Sequence, residues 1–350
     1  MTENRLAADL DHVLDHTREL WEELRGERIF ITGGTGFFGC WLLESFAWAN
    51  QRLGLNASAT VLTRNPNAFF KKMPHLVENP ALHFFEGGMG SFSFLEGHFS
   101  HIIHAASQPS SSQDSIGYLD QFDANVQGTR RVLEFASLCG AKKFLFTSSG
   151  AVYGQQPGGL THIPEDYAGA PDVLQPGTAY GQSKRISEFL CCAYARESGL
   201  QVLIARCFAF VGPHLPLDAN YAIGNFIRDG LNGGPIMIKG DGTPIRSYLY
   251  AADLAVWLWT ILFNGRSGQP YNVGSERIIS IRSLAETVAQ AFQPKPLIRI
   301  LNNKDPNKPV EQYVPITRRA FNELQLNQNI GLEEAIVRTI SWAKGENSYL

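Results

Sequence analysis

Tyr180 and Lys184 stand one helical turn apart in the run Tyr180-Gly181-Gln182-Ser183-Lys184, so a helix would place both on one face. An ammonium beside a phenol favours the phenolate. The spacing therefore predicts a Tyr180 whose pKa is lowered from about 10 toward neutrality, which makes a competent general base. Lys184 is also placed to hydrogen-bond a ribose. Ser149 closes the run Thr147-Ser148-Ser149 at the end of an apolar strand, where its hydroxyl could share the proton-transfer hydrogen bond. Far upstream, Thr32-Gly33-Gly34-Thr35-Gly36-Phe37-Phe38-Gly39 follows the apolar Ile29-Phe30-Ile31 and precedes a helix-like Trp41 to Asn50. Strand, glycine turn and helix form the setting that a dinucleotide pyrophosphate requires. Gly33 permits the tight turn, Gly36 lets backbone N–H groups approach the phosphates, and Gly39 lets the helix pack close to the strand. A Tyr-x-x-x-Lys alone is common on solvated helices. The serine at a strand end and the glycine turn give it a function.

The elements that must carry these residues alternate. Strands are predicted at Arg28–Thr32, Ala59–Thr63, Leu82–Glu86, His101–Ala105, Lys143–Ser148 and Val202–Phe208, with helices at Val126–Leu138 and Ser183–Ser198. Buried strands alternating with helices predict an α/β fold with a doubly wound parallel sheet of Rossmann type. Right-handed crossovers then bring the motifs to one edge. Ahead of the first strand, apolar residues from Leu6 to Leu24 recur at helical spacing, which predicts an added N-terminal helix over residues 1–27. Residues 28–210 read as the dinucleotide-binding domain. Residues 211–350 are punctuated by Gly and Pro, with later helices at Ile281–Phe292 and Leu332–Ala343. They read as a smaller substrate domain with some segments returning to the sheet.

Composition excludes several classes. The chain has 350 residues, 44% hydrophobic and 18% charged, with net charge −3 and no basic stripe, which argues against nucleic acid. No apolar run reaches membrane-spanning length and the N-terminus lacks an apolar signal core, so the expected location is the cytoplasm, with no membrane partner. The five cysteines and nine histidines show no metal-ligand spacing. The cysteines read as small buried hydrophobes, and His101 and His104 point to opposite faces of one strand.

With these motifs in order, the chain resembles the extended short-chain dehydrogenase/reductases, specifically the nucleotide-sugar epimerase/dehydratase branch. The resemblance runs from Arg28 to Trp342. It rests on the glycine turn, His104-Ala105-Ala106-Ser107, Asn125-Val126-Gln127-Gly128-Thr129, Thr147 to Gly154, Tyr180 to Lys184, Arg206 to Pro213, Gly240 to Asp253 and Tyr271 to Ser275. It implies a nicotinamide dinucleotide held by Gly33, Thr35, Gly36, Phe37, Phe38, Gly39, Thr63, Arg64, Ala105, Ala106, Ser107, Asn125, Thr147, Tyr180, Lys184 and Phe208. It implies a nucleoside-diphosphate sugar met by Ser149, Asn225 and Arg246, with Ser149, Tyr180 and Lys184 catalytic. It also implies a homodimer built from Val126–Leu138 and Ser183–Ser198, on which Leu133, Phe135, Phe189 and Leu190 are apolar beyond one stripe.

The departures narrow the reaction. The branch's 4,6-dehydratases follow the serine or threonine with Asp and Glu, and its decarboxylases keep the Glu. Here the residues are Gly150 and Ala151, which resemble the 4-epimerases and suit simple ketoreductases. Glu165 and Asp166 are the acids an elimination would have to import. After the second strand stands Arg64 in place of an acid, which suits the 2′-phosphate of NADP over NAD. Gly88, Ala209 and Ser247 replace family residues at the adenine and diphosphate ends. The expected outcome is oxidation at sugar C4 and epimerisation. The alternatives are an NADPH-dependent keto-sugar reductase, a 4,6-dehydratase, and a catalytically silent dinucleotide-binding regulator.

Overall fold

The computed structural model describes residues 4–108, 117–303, 305 and 309–346. Its centre is a seven-stranded sheet made of β1 (Arg28–Thr32), β2 (Ser58–Thr63), β3 (Leu82–Glu86), β4 (His101–His104), β5 (Lys143–Ser149), β6 (Gln201–Cys207) and β7 (Pro270–Val273). The spatial order is β7-β6-β5-β4-β1-β2-β3, and every pairing is parallel. The inner strands are buried on both faces, as their unbroken Ile, Phe, Leu and Val runs require. Strand order reverses between β1, which continues toward β2, and β4, which continues toward β5. The crevice at the carboxyl ends of these strands is where such sheets bind ligands. Thr32, Thr63, His104, Ser149 and Cys207 all lie at those ends.

Helices α2 (Phe37–Leu53), α3 (Pro66–Lys72), α4 (Tyr118–Leu138) and α5 (Ala179–Ser198) surround the sheet, with α4 packed along α5. Helix α4 begins at Tyr118, well before the predicted Val126, because its first turns are polar or exposed and show no apolar stripe. The predicted N-terminal helix is two elements: α1 (Ala7–Thr17), then a 3-10 segment, Arg18–Leu24. The break falls where Thr17 leaves helical geometry, its Oγ1 donating to the Val13 carbonyl and accepting from Trp21 Nε1. Helix α6 (Ala222–Leu231) and helix α7 (Ala251–Asn264) follow β6. From Ala251 to Phe263 every residue of α7 is buried, between α1 and α2 on one side and β5 and β6 on the other. A helix that is apolar all round belongs in a core. Its Asp253 is compensated by the N–H groups of Asn329 and Ile330 and by His12.

Beyond the sheet, Ile245–Arg246 forms the middle of a three-stranded sheet, antiparallel to Ile279–Ser280 and parallel to Gln312–Tyr313. Its register sets Tyr313 beside Arg246. Of the cysteines, Cys192 is exposed and the other four are buried. Among the described residues no cluster of His, Cys, Asp or Glu could hold a metal, and no helix is long and apolar enough to cross a membrane.

Candidate active site

The glycine turn is built by close approach. Gly33 has φ +73°, and a Cβ there would lie 2.4 Å from the backbone of Ala105 and Ala106. A Cβ at Gly39 would lie 2.2 Å from the Gly33 carbonyl. Both are positions where only glycine fits. Gly36 differs: it caps the N-terminus of α2, and the nearest atom to its Cβ would be the Gly33 carbonyl at 3.4 Å. The space around that Cβ is therefore open, and it lies at the positive end of a helix, which fits a pyrophosphate. Phe38 packs edge-on against Phe210, with Phe37 beside it.

The facing loop is locked by hydrogen bonds. Thr32 Oγ1 pairs with His104 Nδ1 at 2.6 Å and accepts from the Ala106 N–H. Burial pushes His104 down to about 3, so it is neutral and bridges Thr32 to Thr129. The Asn125 amide accepts from Gln108 N and Ser107 Oγ, and donates to the Gln108 carbonyl and Ser183 Oγ. Ser183 in turn donates to the Tyr180 carbonyl. Asn125 thus ties the 105–108 loop to the first turn of α5. Its amide is engaged with protein, so it positions Ser107 and Tyr180.

Ser149, Tyr180 and Lys184 come together at the end of β5. The Ser149 hydroxyl accepts from the Ala151 N–H at 3.2 Å. Lys184 Nζ donates to the Thr147 carbonyl at 2.8 Å and lies 4.7 Å from the Phe146 ring centre and 5.9 Å from that of Tyr180. The expected lowering of Tyr180 by Lys184 is not found. Burial pushes the phenol up to about 12, against the opposing pull of hydrogen bonds from Ser149 and Ser107. Burial also lowers Lys184 to about 8. One helical turn puts both side chains on one face, but Lys184 directs its ammonium to the Thr147 carbonyl.

Around this centre, Arg206 forks onto Glu188 and donates to the Tyr153 hydroxyl, while Ser148 donates to Glu188. Glu165 is committed elsewhere, accepting from the Asn272 N–H, and Asp166 is exposed. No carboxylate stands at Gly150 or Ala151. The space beside Gly150 is taken instead by Phe208 and Tyr313, whose ring centres are 4.6 Å apart. A Cβ at Gly150 would meet the Tyr313 hydroxyl at 2.6 Å and Phe208 Cζ at 2.7 Å. Tyr313 lies in no motif, and the sequence reading missed it.

At the outer end of the crevice, Thr63 and Arg64 line a cavity of about 250 Å³ together with Thr35, Asn65, Ala68, Phe69 and Lys72. Its charged side chains are both cations, and Lys72 is a residue the sequence reading did not single out. At the other end, Arg246 is half-buried, with Nη2 at 3.6 Å from Glu311, and the Asn225 amide oxygen accepts from Arg228.

Comparison with known proteins extends these observations. Residues 29–274 match the NAD dependent epimerase/dehydratase family. UDP-glucuronic acid decarboxylase 1 of Arabidopsis thaliana is 29% identical over 90% of this chain and 69% of its own length. UDP-glucuronic acid decarboxylase 6 of the same plant is 28% identical over 88% and 86%. Among solved structures, the epimerase Mth375 of Methanothermobacter thermautotrophicus superposes with a TM-score of 0.78 at 20% identity, over 95% of both chains. The UDP-glucuronic acid 4-epimerase of Bacillus cereus, solved with UDP-glucuronic acid and NAD, gives 0.76 at 21% over 91% and 99%.

Proposed function

The chain belongs to the NAD-dependent epimerase/dehydratase family and is an NAD-dependent sugar-nucleotide enzyme; from that premise we propose that it epimerises a nucleoside-diphosphate sugar at C4. The observation that carries the reading is the reaction centre itself: Ser149, Tyr180 and Lys184 gathered at one strand end, with Gly150 and Ala151 in place of the acids for elimination or a decarboxylase Glu and with aromatic rings closing the space over Gly150. The glycine turn, Ser107, Thr147, Lys184 and Phe208 would hold the dinucleotide, which when bound accepts and returns a hydride at its nicotinamide ring. As its phenolate, Tyr180 would take the proton from the sugar hydroxyl as that carbon is oxidised, and Ser149 would share that hydrogen bond. Lys184 holds positive charge beside the pair. Arg246 and Asn225 are the groups that would meet the diphosphate, where a guanidinium fork suits phosphate oxygens. With Gly150 and Ala151 unable to take or give a proton, a 4-keto sugar is left to rotate and be reduced on its other face. A homodimer through α4 and α5 and a substrate side formed largely by residues 211–350 belong to the same reading.

The test is product analysis by NMR for a panel of UDP-, dTDP-, GDP- and CDP-sugars, with and without added NADPH. A C4 epimer formed without added cofactor supports the reading. A net reduced sugar formed only with NADPH favours a reductase. The cationic cavity at Arg64 and Lys72 specifically supports that second reading, because a reductase exchanges its cofactor at each turnover and this cavity suits a 2′-phosphate. Arg64→Ala should then weaken NADP(H) by about 10-fold or more while leaving NAD(H) within about twofold, as charge-assisted hydrogen bonds contribute roughly 1.5–3 kcal/mol. Equal affinity of the unaltered protein for both dinucleotides, measured by calorimetry, contradicts it.

A further inference from the structure

Ser149 and Cys207 are register partners at the ends of β5 and β6. The Tyr313 hydroxyl reaches over this pair. It donates to the Cys207 carbonyl at 3.5 Å, and it lies 2.6 Å from where a Cβ of Gly150, the next residue after Ser149, would be. The Phe208 ring holds it there from one face, and the Tyr313–Arg246 register fixes the strand that delivers it. The phenol is neutral, because burial raises its pKa well above the ordinary tyrosine value. The Ser149 hydroxyl lies close enough to both the Tyr180 and the Tyr313 phenols to pull against the effect of burial on each. The three hydroxyls therefore stand within reach of one another, with Tyr313 bonded to the Cys207 carbonyl.

We propose that Tyr313 is a positioning residue of the reaction centre, which orients the Ser149 hydroxyl toward the Tyr180 oxygen and occupies the space a side chain at 150 would otherwise take. The three hydroxyls then form a row with two directions. While Tyr180 carries its proton, it donates to Ser149, Ser149 donates to Tyr313, and Tyr313 donates to the Cys207 carbonyl. When Tyr180 becomes a phenolate, each hydrogen turns the other way: Tyr313 donates to Ser149 and Ser149 donates to the Tyr180 oxygen. No proton leaves the row beyond the one Tyr180 loses. Bonds to an ionised acceptor are stronger than the weak terminal bond to Cys207, and a chain of donors strengthens each member. Tyr313 therefore favours the ionised Tyr180. It also explains Gly150, since any side chain there would displace the phenol or Phe208.

The inference rests on the reading of Tyr180 as the base, but its test needs no substrate. Tyrosine labelled at the ring carbon bearing oxygen is followed by NMR as pH is raised, with Tyr180 assigned through Tyr180→Phe. The other groups facing Tyr180 are the Ser107 hydroxyl, the Cys207 thiol, the Tyr221 phenol and the Lys184 ammonium, with Arg246 acting on Tyr313; all are kept. Tyr313→Phe preserves the ring and should move the onset of Tyr180 ionisation to higher pH. A ring-fluorinated tyrosine in place of Tyr313 is a stronger donor and should move it to lower pH. In a Ser149→Ala background both shifts should vanish. A merely structural Tyr313 would not give opposite signs for these two near-isosteric changes. An unmoved Tyr180, or shifts that persist without Ser149, overturns the proposal. If the coupling holds and no sugar nucleotide is turned over, the proposed function fails and this inference stands.

Discussion

Lys184 shows how far a spacing motif reaches. The four-residue interval put Tyr180 and Lys184 on one helical face but did not give the direction of the ammonium, which depends on the Thr147 carbonyl across the strand end. Burial sets its pKa near 8, below the ordinary lysine value of 10.5. The charged form is thus disfavoured in the folded protein, and the unfolded chain binds more protons between those two values. Stability must rise with pH across that window, as a burial cost on the order of 3 kcal/mol below pH ~8 is relieved. Lys184→Met removes the titration. The melting temperature of the unaltered protein should therefore gain on that of Lys184→Met as pH rises from about 8 to about 10. Thermal melts that run parallel across that range would show that Lys184 titrates at its ordinary value.

At the scale of elements, the glycine turn was legible because backbone geometry leaves no substitute residue. Gly33 and Gly39 meet neighbouring backbone, while Gly36 borders the open crevice. The distinction is testable. Gly33→Ala forces a side chain into φ +73° and into the Ala105–Ala106 backbone, and should cost roughly 2–4 kcal/mol of stability. Gly36→Ala should melt like the unaltered protein yet bind NAD(H) about 10-fold or more weakly, because its methyl group stands where phosphate oxygens approach N–H groups. Loss of stability in Gly36→Ala would place that glycine with the other two. Six of the seven parallel strands were equally legible from their apolar residues, but β7 was not, because it is four residues long and carries Pro270 and Asn272. Tyr313 was not, because its strand has two residues and no period, and it meets Ser149 and Phe208 only through contacts more than a hundred positions away. Lys72 was hidden for a related reason: the short helix α3 carries it back to the end of β2. The 3-10 break after Thr17 turns on one side-chain bond that an apolar stripe does not record.

For the whole molecule, several apolar side chains are exposed along α4 and α5. Leu119 is 79% exposed and Phe189 67% exposed, and Leu138 and Ile186 on the same two helices are also in the exposed class. Leu133 and Phe135, expected on that surface, are instead buried in the core of their own chain. A second copy covering this surface would form a four-helix interface. Light scattering should give twice the chain mass, and Phe189→Asp should shift the population toward monomer. A monomeric mass for the unaltered protein at micromolar concentration contradicts the dimer. The central claim concerns chemistry, and turnover in deuterium oxide tests it most directly. Elimination across C5–C6 needs one group to take the C5 proton and another to protonate the leaving hydroxyl. Neither Gly150 nor Ala151 supplies one, and Glu165 is bonded to the Asn272 N–H. With a hexose substrate, the account predicts a C4 epimer carrying no solvent deuterium at C5 and no 6-deoxy-4-keto product, with turnover lowered about 100-fold or more in Tyr180→Phe. Deuterium at C5 with loss of the C6 hydroxyl would make the enzyme a dehydratase and contradict the account.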